Sequence, residues 1–504
     1  MCMFSAPPRN LRPLRIHGSE KMSSNRNYIK RGLSFYKRNG LISSVKKAME
    51  KLSDSDRAGQ DYEPPFVDDT TIIAQKNHVF EHPYKFSILV PVYETDPELL
   101  AGTLRSVGEQ TYGNWELIIA DGSRDESRRE VVRAFMEDYT LVCRDHFGAI
   151  SEKVVYVRLP ENKGIAGNTN EALYHAHGDY VGLLDHDDLL EITALFDIMF
   201  AIEEKENEGR LAESITKVSA VYTDEDKVSE DGGQYFDLHE KPDFDPVLLL
   251  TNNYICHFFV ADTNIAKSVG GFRPGYDGAQ DHDFILRCTE GLAREQILHI
   301  PKVLYHWRST ADSTAENPDA KLYAYEAGKR AVEDHLKRQG INAKVTDSPD
   351  LGFFRIGYER YHRPVMRVAT EDLNPAMLDS EFVMVLSSSL MPLNNEYIAD
   401  MMGCMRHPNV GAVTGKIIGR DKKVESAGFD IDADGNMVPM YAGLSRHFSG
   451  YMHRANLDRL VKGYSNDCVL FRRSALSTSG DWVRLKDGYD IYYTPKAIFT
   501  RRGV

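Results

Sequence analysis

The stretch Tyr180-Val181-Gly182-Leu183-Leu184-Asp185-His186-Asp187-Asp188 passes from apolar residues straight into three carboxylates within four positions. Its apolar half has the length and composition of a buried strand. A strand delivers the acids that follow it together to one sheet edge, where they repel one another unless something positive lies between them. A hard divalent cation with oxygen ligands, shared with a diphosphate, meets that need. The bland alternative is a helix N-cap. It accounts for Asp188 ahead of Leu189-Leu190 and leaves the other two acids unexplained.

Working outward, the same pattern recurs. Phe86 to Tyr93 is an apolar run of buried-strand type, Trp115 to Ala120 is another that ends in Asp121-Gly122-Ser123, and Val154 to Leu159 is a further strand. Between them, Leu99 to Gln110, Glu126 to Tyr139 and Ala166 to His177 read as helices. Strands alternating with helices predict a parallel sheet covered on both faces. Such sheets bind ligands at the carboxyl ends of their strands, and Asp121 and Asp185 both fall there.

The chain of 504 residues, 42% apolar and 27% charged, is long enough for two or three globular domains. Its net charge of −14 argues against a nucleic-acid binder. That charge is uneven: residues 1–50 hold eleven Lys and Arg against Glu20 and Glu50. Pro7, Pro8 and Pro13 mark an opening without structure. Ile29, Leu33, Tyr36, Leu41, Val45 and Met49 then recur at helical spacing, broken at Gly40. This segment reads either as a helical hairpin with a solvated basic face or as a patch drawn to anionic lipid. The first is favoured because Trp is absent. Residues 53–80 read as a linker.

Six cysteines without CxxC spacing (Cys2, Cys143, Cys256, Cys288, Cys404, Cys468) suit neither zinc nor a disulfide framework and point to a reducing cytoplasm. There is no apolar core of signal-peptide length, and no run approaches the roughly 20 residues of a spanning helix. The expectation is a chain that does not cross a membrane by itself.

The order of motifs carries a resemblance. Ile88-Leu89-Val90-Pro91-Val92-Tyr93, Ala120-Asp121-Gly122-Ser123, Asn162-Lys163-Gly164-Ile165-Ala166-Gly167-Asn168, Leu184-Asp185-His186-Asp187-Asp188, Val269-Gly270-Gly271-Phe272-Arg273 and Gln280-Asp281-His282-Asp283-Phe284 together resemble a family 2 glycosyltransferase. His299 to Arg308 is similar to the bacterial subgroup that builds cell-surface polysaccharides such as O-antigen and rhamnose-rich polymers. The resemblance implies a GT-A fold, α/β with a Rossmann-like mixed sheet, over residues 81–345. Residues 1–80 would be the basic helical segment and linker.

What the resemblance implies for single residues follows from the reaction, displacement at an anomeric carbon with a nucleoside diphosphate leaving. Asp185 and Asp187 would hold Mg²⁺ or Mn²⁺, with His306 completing the shell. Asp185 and Asp188 would also meet the donor. Pro91, Tyr93, Glu94 and Asp121 would face the nucleoside, and Asn162, Lys163 and Gly164 would form a loop against the nucleotide. Arg308 would touch the diphosphate. Asp281 would be the general base. The family usually has Glu-Asp there, and Gln280 departs from it. For Asp283 the plain alternative is a helix cap. Tyr222 to Lys227 is either a sugar-contact strand or a solvated acidic turn.

Residues 346–504 echo the same fold with Phe382-Val383-Met384-Val385-Leu386, Gly411 to Gly415 and Val469 to Arg473, but Ser387-Ser388-Ser389 stands where carboxylates belong. Hydroxyls are poor ligands for a hard dication. The nucleotide-binding strands look missing between 346 and 380, and the chain stops soon after Gly480-Asp481. A degenerate, partial GT-A-like domain is expected. The whole reads as a metal-dependent, inverting glycosyltransferase acting on a surface polysaccharide or lipid-linked oligosaccharide. Its expected place is the cytoplasm, peripheral to the inner membrane face. Two rivals are a non-catalytic polysaccharide-binding scaffold and a sugar nucleotidyltransferase. The latter would carry a Gly-rich basic loop where Val92-Tyr93-Glu94-Thr95-Asp96 stands.

Overall fold

The computed structural model describes residues 35–502 apart from 42, 51–61, 63, 65, 143–151, 212–216, 310–321, 375–377 and 480–481. The chain's opening, most of its basic segment and Gly480-Asp481 lie outside the described residues. Helical backbone at 35–41 and 43–50 is followed, within the expected linker, by a helix at Asp69–Lys76 whose cap is Asp68, accepting from the Thr71 amide at 2.7 Å.

The first sheet comprises β1 (Phe86–Val92), β2 (Trp115–Asp121), β3 (Val154–Arg158), β4 (Tyr180–Leu183), β5 (Leu189–Leu190), β6 (Ala220–Ser229), β7 (Tyr235–His239), β8 (Phe259–Asp262) and β9 (Ile297–Ser309). Their order is β3-β2-β1-β4-β8-β6-β9-β5, with β7 on β6. The first four strands are parallel, as the alternation predicts. Beyond β4 the sheet becomes mixed, because β8 runs antiparallel to both β4 and β6. Every residue of β1 and β2 is buried, which is why these strands read as unbroken apolar runs rather than alternating ones. Gly182 belongs to this packing: a Cβ there would lie 2.6 Å from the Phe258 ring. Leu189–Leu190 is a short strand and the next helix starts at Ala194, so Asp188 is not the helix cap that the bland reading made it.

A hairpin of β10 (Ala343–Asp347) and β11 (Phe354–Tyr358) leads to the second sheet. It holds β12 (Val365–Val368), β13 (Phe382–Leu386), β14 (Leu390–Pro392), β15 (Val410–Ile418) and β16 (Val424–Ser426). After the small hairpin of β17 (Phe429–Ile431) and β18 (Met437–Pro439), β19 (Arg459–Val461) and β20 (Cys468–Arg472) rejoin it. The hairpin of β21 (Leu476–Ser479) and β22 (Trp482–Leu485) precedes its long last strand, β23 (Asp490–Arg501). The order β12-β13-β20-β15-β23-β14, with β16 on β15, repeats the path β1-β4-β8-β6-β9-β5 with β7 on β6. Each neighbouring pair keeps its parallel or antiparallel sense. Among the described residues β2 and β3 have no counterpart. The second sheet repeats seven of the first sheet's nine strands.

The two units share contacts. Val247 of the first packs with Phe382 and Met384 of the second, and the Asp245 carboxylate accepts from the Leu460 amide at 2.7 Å. Beneath the first sheet's open end lies a buried charge cluster. Asp283, 0% exposed, accepts from Arg287 Nη2 at 2.8 Å and Arg273 Nε at 3.0 Å. Asp283 is thus a counter-ion joining the helix Gln280–Thr289 to the Gly270-Gly271-Phe272-Arg273 turn, and not a cap. Removing one partner of a buried ion pair costs about 3–5 kcal/mol. Asp283→Ala should lower the unfolding free energy by that order in urea titration, and a loss under about 1 kcal/mol would refute the assignment.

Candidate active site

A cavity of about 770 Å³ opens at the carboxyl ends of β1 and β4, where Asp185, Asp187, His257, Asn253, Asp277 and Asp281 meet in its wall. Pro91, Tyr93 and Asn162 line it too, so the structure brings together those sequence-predicted residues with Asp185, Asp187 and Asp281. The base candidate Asp281 lies in the first turn of its helix, and Asn253 Nδ2 donates to its Oδ2 at 2.7 Å.

His306 is not with them. It occupies the other face of β9, 3% exposed, with Nδ1 2.6 Å from Asp226 Oδ1 and Nε2 3.2 Å from Glu191 Oε2. Both ring nitrogens are engaged, which leaves none for a metal. A different histidine, His257, adjoins Asp185: its Nε2 is 3.8 Å from Asp185 Oδ2, and its ring stacks on Tyr305 with centroids 4.7 Å apart. His257 lies two residues before β8, and the antiparallel pairing of β8 with β4 brings it to Asp185. Nothing local in sequence marks it.

Behind His257 the charges alternate. Glu225 Oε2 lies 3.4 Å from His257 Nδ1 and 3.1 Å from the Lys241 ammonium, which is also bonded to the Ile255 and His257 carbonyls. Burial works against a charged imidazole at His257, but Cys256 and Glu225 outweigh it and hold the ring well above its usual pKa. Burial raises the Asp185 carboxyl, His257 pulls it back and Asp187 pushes it up again. Glu225 belongs to the segment read as either a sugar contact or an acidic turn, and it is neither. Asp224, Glu225 and Asp226 are all buried in β6 and pair with His299, His239 and His306 respectively.

Several predicted donor contacts serve the frame instead. Asp188, 1% exposed, accepts from the Tyr305 hydroxyl at 2.5 Å and the Arg308 amide at 2.7 Å, so both oxygens are taken by β9. Burial, then Asp187 and Asp185, push its carboxyl well above the usual range. The Arg308 side chain is buried against Leu99 and Gly102 rather than lining the cavity. Asp121 is fully buried and accepts from the Ser123 amide at 2.8 Å, Tyr156 Oη at 2.6 Å and Arg158 at 3.1 Å. Glu94 braces the loop after β2 through the Arg124 amide at 3.0 Å, and Lys163 is paired with Glu171. Gly164, at φ +76°, lets the loop approach Asp277, whose Oδ2 would lie 2.7 Å from an added Cβ.

The second sheet treats the equivalent place differently. Its register puts Ser387 and Ser389 where the first has Asp185 and Asp187, Asp467 where it has His257, and Arg501 where it has Trp307. Arg501 donates to Ser389 Oγ at 2.8 Å, reaches Asp467 Oδ2 at 2.7 Å and binds Glu425 Oε2 through Nε at 3.0 Å. A guanidinium built into the chain holds the ground between these groups.

Residues 87–227 match the family model described as Glycosyl transferase family 2. Over 463 residues the chain is 42% identical to an uncharacterized protein of Sinorhizobium fredii, covering 78% of this chain and 48% of that one. It is 33% identical over 274 residues to the O-antigen biosynthesis protein RfbC of Myxococcus xanthus, covering 54% of this chain and 19% of RfbC. A crystal structure of S. aureus TarS overlaps 50% of this chain and 40% of its own at 18% identity and a TM-score of 0.36. The similarity to family 2 glycosyltransferases thus lies over residues 87–227, and the chain spans about half or less of the length of these curated relatives.

The His306 cluster gives a pH signature. Burial opposes a charge on the ring, but the bonds to Asp226 and Glu191 outweigh it and raise the imidazole from 6.5 to about 9. Tyr62 Oη, 2.8 Å from Asp226, and the Tyr235 ring, 5.0 Å away, complete its surroundings. A raised folded pKa contributes stability that is full below pH 6.5 and is lost as pH rises through 9. Unfolding free energy should fall across that window by up to about 3 kcal/mol, and His306→Asn should remove that slope. Equal slopes would show that the ring is not charged in the fold.

Proposed function

We propose that the chain moves a sugar from a nucleoside diphosphate donor to a hydroxyl of a cell-surface polysaccharide or lipid-linked oligosaccharide, with a metal and with inversion, on the cytoplasmic side of the membrane. The observation that carries this reading is the gathering of Asp185, Asp187, His257 and Asp281 around one cavity. Two carboxylates and an imidazole that gives up its proton to the ion are a donor set suited to Mn²⁺ or Mg²⁺. No Lys or Arg among the described residues lines the cavity to offset a diphosphate in the metal's stead. When bound there, the ion supplies the positive charge that a leaving diphosphate requires.

The chain's own residues divide the remaining work. Asp281, steadied by Asn253, takes the proton of the acceptor hydroxyl. A single carboxylate base fits one displacement, hence inversion. Pro91, Tyr93 and Asn162 border the nucleoside's end of the cavity, while Asp188 and Tyr305 hold the acidic turn in place. Residues 346–504 act as a scaffold without a donor site, since serines stand at the equivalents of Asp185 and Asp187 and Arg501 is bound there to Asp467 and Glu425. Among the described residues no helix is long and apolar enough to cross a membrane. Exposed Leu41, Val45 and Met49, four apart beside Lys37 and Arg38, suit peripheral contact with an anionic surface.

Thermal stabilisation by nucleoside diphosphates with Mn²⁺ tests the site, because a ligand that binds only the folded state raises its stability. Asp187→Ala and His257→Ala should lose the metal-dependent shift, and His306→Gln should keep it. Asp281→Asn should keep binding and lose transfer by about 10²–10⁴-fold. Calorimetry should count one nucleotide per chain, and two would give the second sheet a donor site. If no nucleotide stabilises the metal-loaded protein, the transferase reading falls and the scaffold reading replaces it.

A further inference from the structure

The charge of the cavity wall constrains the sugars it can take. Its ionisable lining residues are Asp185, Asp187, Asp277 and Asp281 together with His186, His257, His282, Cys256 and the tyrosines. No lysine or arginine among the described residues reaches it. Of the nearby cations, Arg124 lies at the nucleoside's end, 83% exposed, with Nη2 3.3 Å from the Tyr93 hydroxyl, and the others are committed elsewhere. Lys163 binds Glu171, Arg158 binds Asp121, Arg273 binds Asp283, and Lys241 is buried on Glu225. Of the histidines, His257 stands between Asp185 and Glu225. His282 is buried, its Nε2 2.8 Å from the Leu249 carbonyl, and burial lowers its pKa, so it stays neutral.

The rest of the wall suits uncharged carbohydrate. Trp307, Tyr323 and Phe354 offer ring faces for the C–H surface of a sugar, and Asn252, Asn253 and Gln280 offer amides for its hydroxyls. A carboxylate on the transferred sugar, or on the acceptor unit beside Asp281, would meet acids and an imidazolium, His257, already paired with Asp185 and Glu225. Like charges brought together in a partly desolvated site cost several kcal/mol. The metal does not relieve this, since its charge is spent on the diphosphate.

We propose that this cavity is selective for neutral sugars, hexoses or deoxyhexoses bearing hydroxyl or acetamido groups, and rejects uronic acids as donor and as acceptor. The proposal rests on the transferase reading and adds a substrate class to it. It also sets this chain apart from any relative that handles acidic sugars.

The test pairs donors that differ only at C6: UDP-glucose with UDP-glucuronate, UDP-N-acetylglucosamine with its uronate, and GDP-mannose with GDP-mannuronate. Each is offered to the full chain with Mn²⁺, following metal-dependent thermal stabilisation and release of nucleoside diphosphate. In the pair that responds, the neutral donor should be preferred by about a hundredfold, the scale of an unrelieved like-charge contact. Gln280→Arg, which adds a cation to the wall, should narrow that preference by about tenfold or more. A uronate donor used within a few-fold of its neutral partner by wild type overturns the proposal while leaving the transferase reading intact. Stabilisation by the plain nucleoside diphosphates but by no sugar donor also counts against it. No response to any nucleotide removes the transferase reading itself, and the proposal with it.

Discussion

The acids that follow β4 repel one another, and much of the surrounding fold answers that repulsion. Asp188 is withdrawn from water and given two donors from β9, the Tyr305 hydroxyl and the Arg308 amide. The same Tyr305 stacks on His257, so the bond that anchors the acidic turn also sets the ring facing Asp185. From there a ladder of alternating sign runs inward, from Asp185 to His257 to Glu225 to Lys241. Each charge is offset by the next, and the last rests on backbone carbonyls. Asp185 and Asp187 remain facing the cavity.

The second sheet meets the same geometric problem with a different solution. It keeps the strand path and the antiparallel return strand, so its register still converges on one spot. Serines replace the two carboxylates and Arg501 supplies a permanent cation to Asp467 and Glu425. A fixed guanidinium needs no metal and leaves no room for one. Of the strands at the nucleoside's end, β1 keeps a counterpart in β12, whereas β2 and β3 have none among the described residues. What remains is a packing partner: Val247 inserts into its core and Asp245 binds its β19.

The parts of the fold legible in the sequence are those written in contiguous residues. β1, β2 and β4 are buried throughout or nearly so, which makes them unbroken apolar runs, and the acids at their ends follow directly. The mixed half of the sheet was expected from the family resemblance alone, because antiparallel return strands such as β8 carry no local signal of direction. His257 was missed for that reason, its approach to Asp185 being a consequence of β8 pairing with β4. The misplacement of His306 had a readable cause. Side chains alternate along a strand, and Trp307 lines the cavity, so its neighbour His306 has to face away. Asp224, Glu225 and Asp226 looked like a surface cluster because three acids in a row usually are one. Their histidine partners lie on other strands, 14 to 80 residues away.

The same directional logic separates two acids on one helix turn. Asp281 and Asp283 are two residues apart, about 200° around the helix axis. They therefore cannot serve one site. Asp283 points to the interior, where Arg273 and Arg287 fix it and with it the helix start. Asp281 points the opposite way, into the cavity, with only the Asn253 amide upon it. Gln280, the departure from the family's acidic pair, accepts from the Gly278 amide at 2.7 Å and closes the turn before the helix. An acid there would hold the same bond but add a charge beside Asp277 and Asp281. The neutral amide closes the turn without it, and leaves Asp281 as the base in the proposed reaction.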